Sequence, residues 1–150
     1  MRFAIVAHTA TETTQELVPP RGHDLRLVVA RDRVIGAIRR VAPPGEWRTN
    51  VALGARREQV VPPRQARELA LAAAAAVGGA LVGVDLLPAD DGFVVLEVNG
   101  AVEFTQAYSL GGDVFANAVS LLTRAPVVAC AGWSIRGDAD PTRAGRLGAA

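Results

Sequence analysis

Hydrophobic and polar positions follow each other along this chain in four segments that predict β-strands. "DLRLVVA" and "RVIGAIRRV" flank the polar pair Arg31-Asp32, while "ALVGVDLLPA" and "FVVLEVN" flank Asp90-Asp91-Gly92. Apolar runs of this length, bounded by turn residues, are typical of strands joined as hairpins. The pattern therefore predicts two β-hairpins.

Two further segments have the character of helices. "PRQARELALAAAAAVGG" is rich in alanine and leucine, begins after Pro63 and ends at Gly78-Gly79, all of which favour a helix. "DVFANAVSLLTR" predicts a second, amphipathic helix whose apolar positions share one face: Val114, Ala118, Leu121 and Leu122. With the hairpins, these helices predict an α+β domain, a mostly antiparallel sheet with both helices packed on one face.

The remaining segments predict loops and ends. "RFAIVAH" predicts a short buried strand from Phe3 to Ala7, and the polar "TATETTQE" is suited to cap or begin a helix. "LVPPRGHD" predicts a turn, and "APPGEWRTNVALGARR" predicts a loop bounded by proline and glycine. From about Ala125 onwards the composition predicts a flexible tail.

Composition narrows the class of protein. The chain has 150 residues, half of them hydrophobic, with a formal net charge of +1, which favours one soluble domain with a real core. Near-neutral charge disfavours a nucleic-acid binder that relies on bulk positive charge. A small binder using four arginines is also disfavoured, because strand alternation sends them to different faces: Arg31, Arg33, Arg39 and Arg40. No segment is typical of a membrane span or a signal peptide.

Cysteine, histidine and lysine content restricts the chemistry. Cys130 is the single cysteine, so no intramolecular disulfide forms and we expect a reducing, cytoplasmic location. His8 and His23 lack metal-ligand spacing. All 16 basic residues are arginine, so no lysine of this chain forms a Schiff base or contacts a phosphate.

The second hairpin carries three oxygen-bearing side chains at its end. A three-residue loop at positions 90–92 places Asp85 opposite Glu97, and alternation puts Asn99 on the same face as Glu97. Opposed carboxylates repel each other unless something compensates. A hard cation such as Mg²⁺ does so; the alternatives are a solvated sheet face or a carboxylate paired with an arginine.

The loop "GEWRTN" presents a guanidinium, a hydroxyl and an amide in succession: Arg48, Thr49 and Asn50. Such groups hold phosphate oxygens through bidentate and neutral hydrogen bonds. The alternative is an ordinary polar loop with Trp47 packed beneath it.

Asp24 and Arg26 lie two residues apart on the first predicted hairpin and therefore share a face. One interpretation is an ion-paired strand face. The other places Asp24 at a hydroxyl group of a ligand.

The order of these motifs resembles a known family. "QELVPPRGHDLRLVVARDRVIGAIRR", "GEWRTNVALGA", "GVDLL" and "VLEVNGAVEF" together resemble the C-terminal part of RimK/LysX-type ATP-grasp ligases, over residues 15 to 124. "EVNGAVEF" is closer to the LysX-like branch than to the RimK branch, where Ser-Pro-Gly usually follows the asparagine.

The resemblance implies an activity and its ligands. In such ligases ATP phosphorylates a carboxylate to an acylphosphate, and an amine then attacks to form an amide. The implied cofactors are ATP and Mg²⁺ or Mn²⁺, and the implied substrates are a carboxylate and an amine of the glutamate or 2-aminoadipate class. Nucleic acid and membrane are not implied as partners.

The resemblance also implies roles for single residues. Asp85, Glu97 and Asn99 would bind the metal ions. Arg48 would act in catalysis and contact phosphate together with Thr49 and Asn50. Glu16 would lie near the adenine hinge and Asp24 near the ribose.

The chain departs from the family in several ways. A complete member begins with a substrate-binding domain and a first ATP-grasp subdomain that carries a lysine pair and a glycine-rich flap, neither of which is found here. Leu53 stands where RimK-type members usually have arginine. We therefore expect residues 1–14 to be a residual first strand and turn, residues 15–124 the ATP-grasp C-terminal subdomain, and residues 125–150 the tail.

These departures leave two hypotheses. The chain is an incomplete ATP-dependent carboxylate–amine ligase whose missing half is supplied by an oligomer or a complementing chain. Alternatively, it is a non-catalytic remnant or interaction module with weak Mg²⁺ or nucleotide binding.

Overall fold

The computed structural model describes residues 17–124 and two short strands ahead of them. These are β1 (Ala7–His8) and β2 (Thr13–Thr14), which pair antiparallel. The segment expected to cap or begin a helix thus contributes a strand. Most of the strand predicted from Phe3, the adenine-hinge candidate Glu16 and the predicted tail all lie outside the described residues.

Five strands form the central sheet, in the order β5-β4-β3-β6-β7, and every neighbouring pair is antiparallel. Their bounds are β3 His23–Ala30, β4 Arg33–Val41, β5 Arg56–Gln59, β6 Leu81–Ala89 and β7 Gly92–Asn99. Both predicted hairpins are confirmed, as β3–β4 and β6–β7. Strand β5 was expected to be loop, because its sequence "RREQ" carries no apolar alternation; its backbone pairs with β4 instead.

Both predicted helices are confirmed, as α1 (Arg64–Val77) and α2 (Val114–Leu122). Helix α1 ends at Gly78, whose φ of 66° belongs to the left-handed conformation that glycine adopts at helix ends. Helix α2 begins after Asp113, whose carboxylate accepts hydrogen bonds from the backbone N–H groups of Phe115 and Ala116. No helix in the described part of the chain is both long and apolar enough to cross a bilayer.

The two helices lie on opposite faces of the sheet. Alanines of α1, including Ala70, pack with Leu27 and its neighbours, while α2 packs through Val114 against Val28 and Ile38. The α+β class with an antiparallel sheet is confirmed, but the expectation of both helices on one face was wrong. Strand β3 is apolar at consecutive positions, so it offers a hydrophobic surface to both sides.

The β6–β7 hairpin reaches its predicted register by a different turn. Ala89 pairs with Gly92, so the loop has two residues rather than the three expected. A bulge next to Asp85 then absorbs one extra residue, Leu96, and restores the pairing of Asp85 with Glu97. The local geometry at the strand end is therefore the predicted one.

Two glycines flank Val28 on the face of the sheet that α2 covers, here called the α2 face. Gly36 and Gly83 both pair with Val28 on β3. A Cβ atom on Gly36 would lie 2.9 Å from the Cβ of Tyr108, and one on Gly83 would lie 2.8 Å from a methyl group of Val102. The segment between β7 and α2 thus packs directly on the sheet because these positions carry no side chain.

Candidate functional site

A row of side chains crosses all five strands on the α2 face. Cross-strand pairing places Gln59, Ile38, Arg26, Asp85 and Glu97 side by side in that order. Ile38 belongs to the core under α2, so the rest of the row lies on that same face. The site is therefore built on strands, which hold side chains in fixed positions.

Asp85 lies between Arg26 and Glu97 in this row and is almost fully buried. Arg26 donates from Nε to Oδ1 and from Nη2 to Oδ2, each over 2.7 Å, in a bidentate pair. Arg40 donates a further hydrogen bond from Nη2 to Oδ2 over 2.9 Å. Both oxygens of Asp85 thus already accept charge-assisted hydrogen bonds.

Asp24 occupies the neighbouring row and is fully buried. Arg40 donates to it from Nε over 2.8 Å and from Nη2 over 2.5 Å, and the Thr49 hydroxyl donates over 2.5 Å. Arg40 therefore bridges two aspartates, and Arg26 completes a quartet with no net charge. Buried carboxylates are tolerated when they are paired and hydrogen-bonded in this way.

The aspartates shift the titration of both arginines. Burial alone lowers the pKa of the Arg40 guanidinium, but its hydrogen bonds to Asp24 and Asp85 outweigh that effect and raise the pKa above its ordinary value. The pKa of Arg26 is also raised, chiefly by its hydrogen bond to Asp85. Both guanidinium groups are therefore held in the charged form.

Asp24 and Arg26 lie on an ion-paired strand face, and a contact of Asp24 with a ligand hydroxyl stays a prediction. Each forms a pair, but with a residue of a neighbouring strand rather than with the other: Asp24 with Arg40, and Arg26 with Asp85. Sequence reasoning considered Arg40 only as one of four arginines of a nucleic-acid binder, which strand alternation disfavours. Arg40 alternates with Arg39, which pairs with Glu58 on the opposite face of the sheet. This alternation was the sequence signal that could have placed Arg40 on the face of Asp24.

Glu97 and Asn99 close the row at the sheet edge. Glu97 lies directly opposite Asp85, is exposed, and has no ion-pair partner among residues 17–124. Asn99 lies on the same face, half-buried, paired with Gly83. The structure thus brings the three residues of the predicted trio to one place.

This donor set fits a hard cation. Two carboxylates and an amide oxygen are the ligands that Mg²⁺ takes in proteins, completed by phosphate and water. Over the described residues no group of three or more His, Cys, Asp or Glu side chains gathers as a metal site, so Asp85, Glu97 and Asn99 would need oxygens from a ligand. Asp85 would also have to share or exchange its arginine contacts.

The loop that carries Arg48 is tied down by a residue that sequence reasoning missed. Glu46 accepts hydrogen bonds from Arg48 Nε over 3.0 Å and Nη2 over 2.7 Å, and from the backbone N–H groups of Trp47 and Arg48. The hydrogen bond from the Arg48 side chain is the main cause that lowers the pKa of Glu46 to about 2. The only sequence signal for the Glu46–Arg48 pair was that these residues lie two positions apart in "GEWR".

The rest of the loop is arranged in two parts. Thr49 attaches it to the buried Asp24, whereas Asn50 is exposed and its carbonyl accepts from the N–H groups of Leu53 and Ala55. Trp47 is 61% exposed, with the Arg48 guanidinium 6.0 Å from its ring centre. Packing of Trp47 beneath the loop, the simpler expectation, is therefore not observed.

Fold and site together define an α+β ATP-grasp subdomain. An antiparallel five-stranded sheet carries buried acidic and basic side chains on one face, and one helix packs on each of its two faces. The sequence profile described as "RimK-like ATP-grasp domain" matches residues 6–121. The chain belongs to the RimK-like ATP-grasp family.

Its relatives are named as glutamate ligases. The chain is 45% identical over 80 residues to "Probable alpha-L-glutamate ligase 2" of Shewanella amazonensis, which covers 53% of this chain and 27% of the relative. It is 34% identical over 91 residues to "Glutamate--LysW ligase ArgX" of Sulfurisphaera tokodaii, covering 60% of this chain and 32% of the relative. The chain thus spans about a third or less of these relatives.

Two solved structures share the fold, and one of them is named as an ATP-grasp ligase. The ligase PsnB, complexed with a phosphomimetic variant of its minimal precursor, Mg and ADP, matches with a TM-score of 0.52 and 27% identity, over 73% of this chain and 35% of PsnB. The macrocyclase MdnC of Microcystis aeruginosa, bound with precursor peptide MdnA, matches with a TM-score of 0.51 at 18% identity, over 73% of this chain and 36% of MdnC. The second likeness concerns the fold alone.

Proposed function

We propose that this chain forms the magnesium-nucleotide half of an ATP-grasp carboxylate–amine ligase. The observation that carries this proposal is the pairing of Asp85 with Glu97, with Asn99 on the same face and Arg26 beside them. That arrangement gathers carboxylate and amide oxygens for a cation, with Asp85 held in place by Arg26.

Asp85, Glu97 and Asn99 are the proposed metal ligands. Bound there, Mg²⁺ or Mn²⁺ would stabilise the negative charge that develops on phosphoryl transfer. Glu97 is exposed and lacks an arginine partner among the described residues, so it offers the first carboxylate. Arg26 and Arg40 hold Asp85 in place on its inner side.

The loop beside the sheet supplies the proposed phosphate contacts. Arg48 would contact phosphate or the activated carboxylate and act in catalysis, and Asn50 would add a neutral donor. Thr49 and Asp24 are ATP-site candidates that the structure joins by a hydrogen bond, so we propose that they also fix the loop on the sheet. Glu16, near the adenine, remains a prediction.

The proposed reaction joins a carboxylate to an amine. ATP phosphorylates the carboxylate, and the amine displaces phosphate from the acylphosphate to form an amide. The relatives are named as glutamate ligases, which supports a substrate of the glutamate or 2-aminoadipate class. Because the sequence contains no lysine, any lysine that contacts the phosphates lies outside these 150 residues.

A non-catalytic role is the second candidate. Both oxygens of Asp85 are already occupied by Arg26 and Arg40, an arrangement that is neutral and stable without a metal ion. A chain of this kind would bind Mg²⁺ and nucleotide weakly, or serve only as an interaction module, and would not turn over ATP.

Calorimetric titration with ADP, with and without Mg²⁺, tests the proposed site. We expect binding that requires Mg²⁺ and that Glu97→Gln weakens at least about ten-fold, since a charged metal ligand is lost. Glu68→Gln on α1, exposed on the opposite side of the sheet, is the matched control and should bind as the wild type does. Equal affinity of Glu97→Gln and wild type would contradict the site.

ADP release tests whether this chain alone turns over ATP. The chain is incubated with Mg²⁺, ATP and L-glutamate, and ADP is measured over time. Formation of ADP that depends on Glu97 contradicts the non-catalytic role, whereas Mg²⁺-dependent binding without ADP formation is expected both of a half-site that lacks its lysine and of the non-catalytic role.

A further inference from the structure

The Asp85 carboxylate has little room left for a further partner. Its Oδ2 accepts hydrogen bonds from Arg26 and Arg40, and its Oδ1 accepts one from Arg26 Nε over 2.7 Å. An ionised carboxylate offers about four acceptor sites, so the remaining one lies on Oδ1. A cation that binds this oxygen therefore lies next to the Arg26 guanidinium.

Two positive charges repel each other strongly at this place. Asp85 is almost fully buried, and only 23% of the Arg26 side chain is exposed, so water screens these charges less than it screens charges on the surface. The pKa of Arg26 is raised, chiefly by its hydrogen bond to Asp85, which keeps the guanidinium charged. Movement of the side chain is then the way to relieve the repulsion.

Of the two arginines, Arg26 is the one that can leave Asp85. Arg40 also donates to Asp24, from Nε over 2.8 Å and from Nη2 over 2.5 Å, and only 9% of its side chain is exposed. The side chain of Arg26 donates to no residue other than Asp85 in the range 17–124. The contact with Arg40 can thus keep Asp85 in place while the contact with Arg26 breaks.

The charge of the site favours an anion as the new partner of Arg26. Two arginines and three carboxylates, including that of Glu97, together carry one net negative charge: Arg26, Arg40, Asp24, Asp85 and Glu97. A divalent cation changes this to one net positive charge. The site then attracts a phosphate group that it would otherwise repel.

Arg26 lies close enough to serve such an anion. Asp85 pairs with Arg26 on β3 and with Glu97 on β7, so the three side chains stand on adjacent strands. Neighbouring strands lie about 4.8 Å apart, and an arginine side chain is long enough to cover this spacing and reach solvent. A guanidinium that leaves Asp85 therefore stays beside the proposed metal ligands.

We propose that Arg26 is a nucleotide-binding residue that becomes available only with the metal: Asp85 exchanges Arg26 for the divalent cation, and the released guanidinium binds a phosphate group of the nucleotide. Guanidinium groups bind phosphate in the same bidentate manner as they bind carboxylate. This inference rests on the proposed function, because it requires Asp85 to be a metal ligand. The exchange lets one aspartate belong to a neutral buried quartet without the cation and to a metal site with it.

Two titrations of Arg26→Gln test the exchange, because we expect them to change in opposite directions. Mn²⁺ alone, followed by electron paramagnetic resonance of the free ion, should bind at least about three-fold more tightly to Arg26→Gln than to the wild type, since no guanidinium competes. ADP at saturating Mn²⁺, followed by calorimetry, should bind about ten-fold more weakly, since a charged phosphate contact is lost.

Arg67→Gln is the matched control for these titrations. It removes the same charge from an exposed position on α1, across the sheet from the carboxylate row, and should leave both affinities unchanged. Circular dichroism checks the folding of each variant. A role of Arg26 in stability alone would weaken both Mn²⁺ and ADP binding in Arg26→Gln.

Hydrogen exchange of arginine side chains tests the same step in the wild-type chain. The Nε–H of Arg26, assigned by triple-resonance NMR, donates to Asp85 and should exchange slowly with water. Saturating Mg²⁺ should accelerate this exchange, because the bond breaks. The Nε–H of Arg40, which donates to Asp24, should keep its slow exchange and serves as the internal control.

Three results would each overturn the exchange: Mn²⁺ binding to Arg26→Gln that is unchanged or weaker, an ADP affinity of this variant equal to that of the wild type, or an Arg26 Nε–H whose exchange Mg²⁺ does not accelerate. Glu97→Gln tests the proposed function separately. If Mg²⁺-dependent ADP binding requires Glu97 and these three results are found, only the exchange is wrong. If the wild type binds neither metal nor nucleotide, both proposals are wrong.

Discussion

At the scale of single residues, the buried quartet of Asp24, Asp85, Arg26 and Arg40 dominates the energetics of the site. Each carboxylate there is taken out of water and depends on its arginine partners. Removing one member of a buried ion pair leaves an uncompensated charge, which costs far more than the loss of a surface pair.

Replacing Asp24 tests this dependence. Asp24→Asn removes one of the two carboxylates that balance the charge of the buried Arg40. It also takes the charged acceptor away from the Thr49 hydroxyl. We therefore expect the free energy of unfolding to fall by about 3 kcal/mol. Asp90→Asn removes an exposed carboxylate that pairs with Arg21 and should change it by less than about 0.5 kcal/mol. Urea unfolding measures both; similar values for the two variants would contradict a buried, interdependent quartet.

The Glu46–Arg48 pair predicts a pH effect at one residue. The pKa of Glu46 is lowered from 4.5 to about 2, and a carboxyl with a lowered folded pKa stabilises the fold above its unfolded value. That contribution is lost as pH falls from 4.5 through about 2. In an NMR titration, the pKa of the Glu46 carboxyl should lie well below the ordinary range, and Arg48→Gln should raise it, while the backbone hydrogen bonds keep part of the shift. An ordinary midpoint in the wild type would show that the pair does not form.

At the scale of elements, the β3–β4 turn does more than reverse the chain. Arg31 adopts a φ of 52°, a conformation that non-glycine residues rarely take. Its guanidinium donates from Nε to the carbonyl of Leu121 over 2.8 Å, and from Nη2 to Leu122 and Arg124 over 3.1 Å each. These are carbonyls at the end of α2, where cations are favourable and donors are lacking.

Arg31 should therefore stabilise α2. Arg31→Asn keeps a residue that tolerates positive φ but removes the hydrogen bonds, and we expect hydrogen exchange in the last turn of α2 to accelerate with a loss of about 1–2 kcal/mol. Arg33→Asn, on the far side of the same turn and without a hydrogen bond of its side chain to residues 17–124, is the control. Equal exchange rates in the two variants would contradict this role.

The elements also show what the sequence can predict. Hairpins and helices were predicted correctly because their signals are local: turn residues, apolar runs, and glycines at helix ends. Strand β5 carries no such signal, and its pairing is set by β4. The side on which each helix packs depends on contacts distant in sequence, which periodicity does not record.

The candidate site was predictable to a similar extent. Alternation along β7 and the hairpin register brought Glu97 and Asn99 to one face with Asp85, as expected. The partners of Asp85 were not predictable, because Arg26 and Arg40 reach it from β3 and from the strand beyond. Only the order of the strands in the sheet creates that contact.

At the scale of the whole molecule, both faces of the sheet carry an apolar core, and the charged row that ends at Glu97 lies on one of them. Helix α1 closes one face with a purely apolar cluster. The other face carries both the apolar core under α2 and the charged row that ends at Glu97. The central claim of this account is that a divalent metal and a nucleotide bind at this second face.

Paramagnetic broadening by Mn²⁺ tests that claim most directly. Mn²⁺ is added with ADP to the ¹⁵N-labelled chain, and the loss of amide signals is mapped onto the fold. We predict broadening centred on Asp85, Glu97 and Asn99, with signals of α1, such as that of Ala70 across the sheet, retained. Broadening centred on another part of the chain, or broadening that persists in Glu97→Gln, would contradict the account.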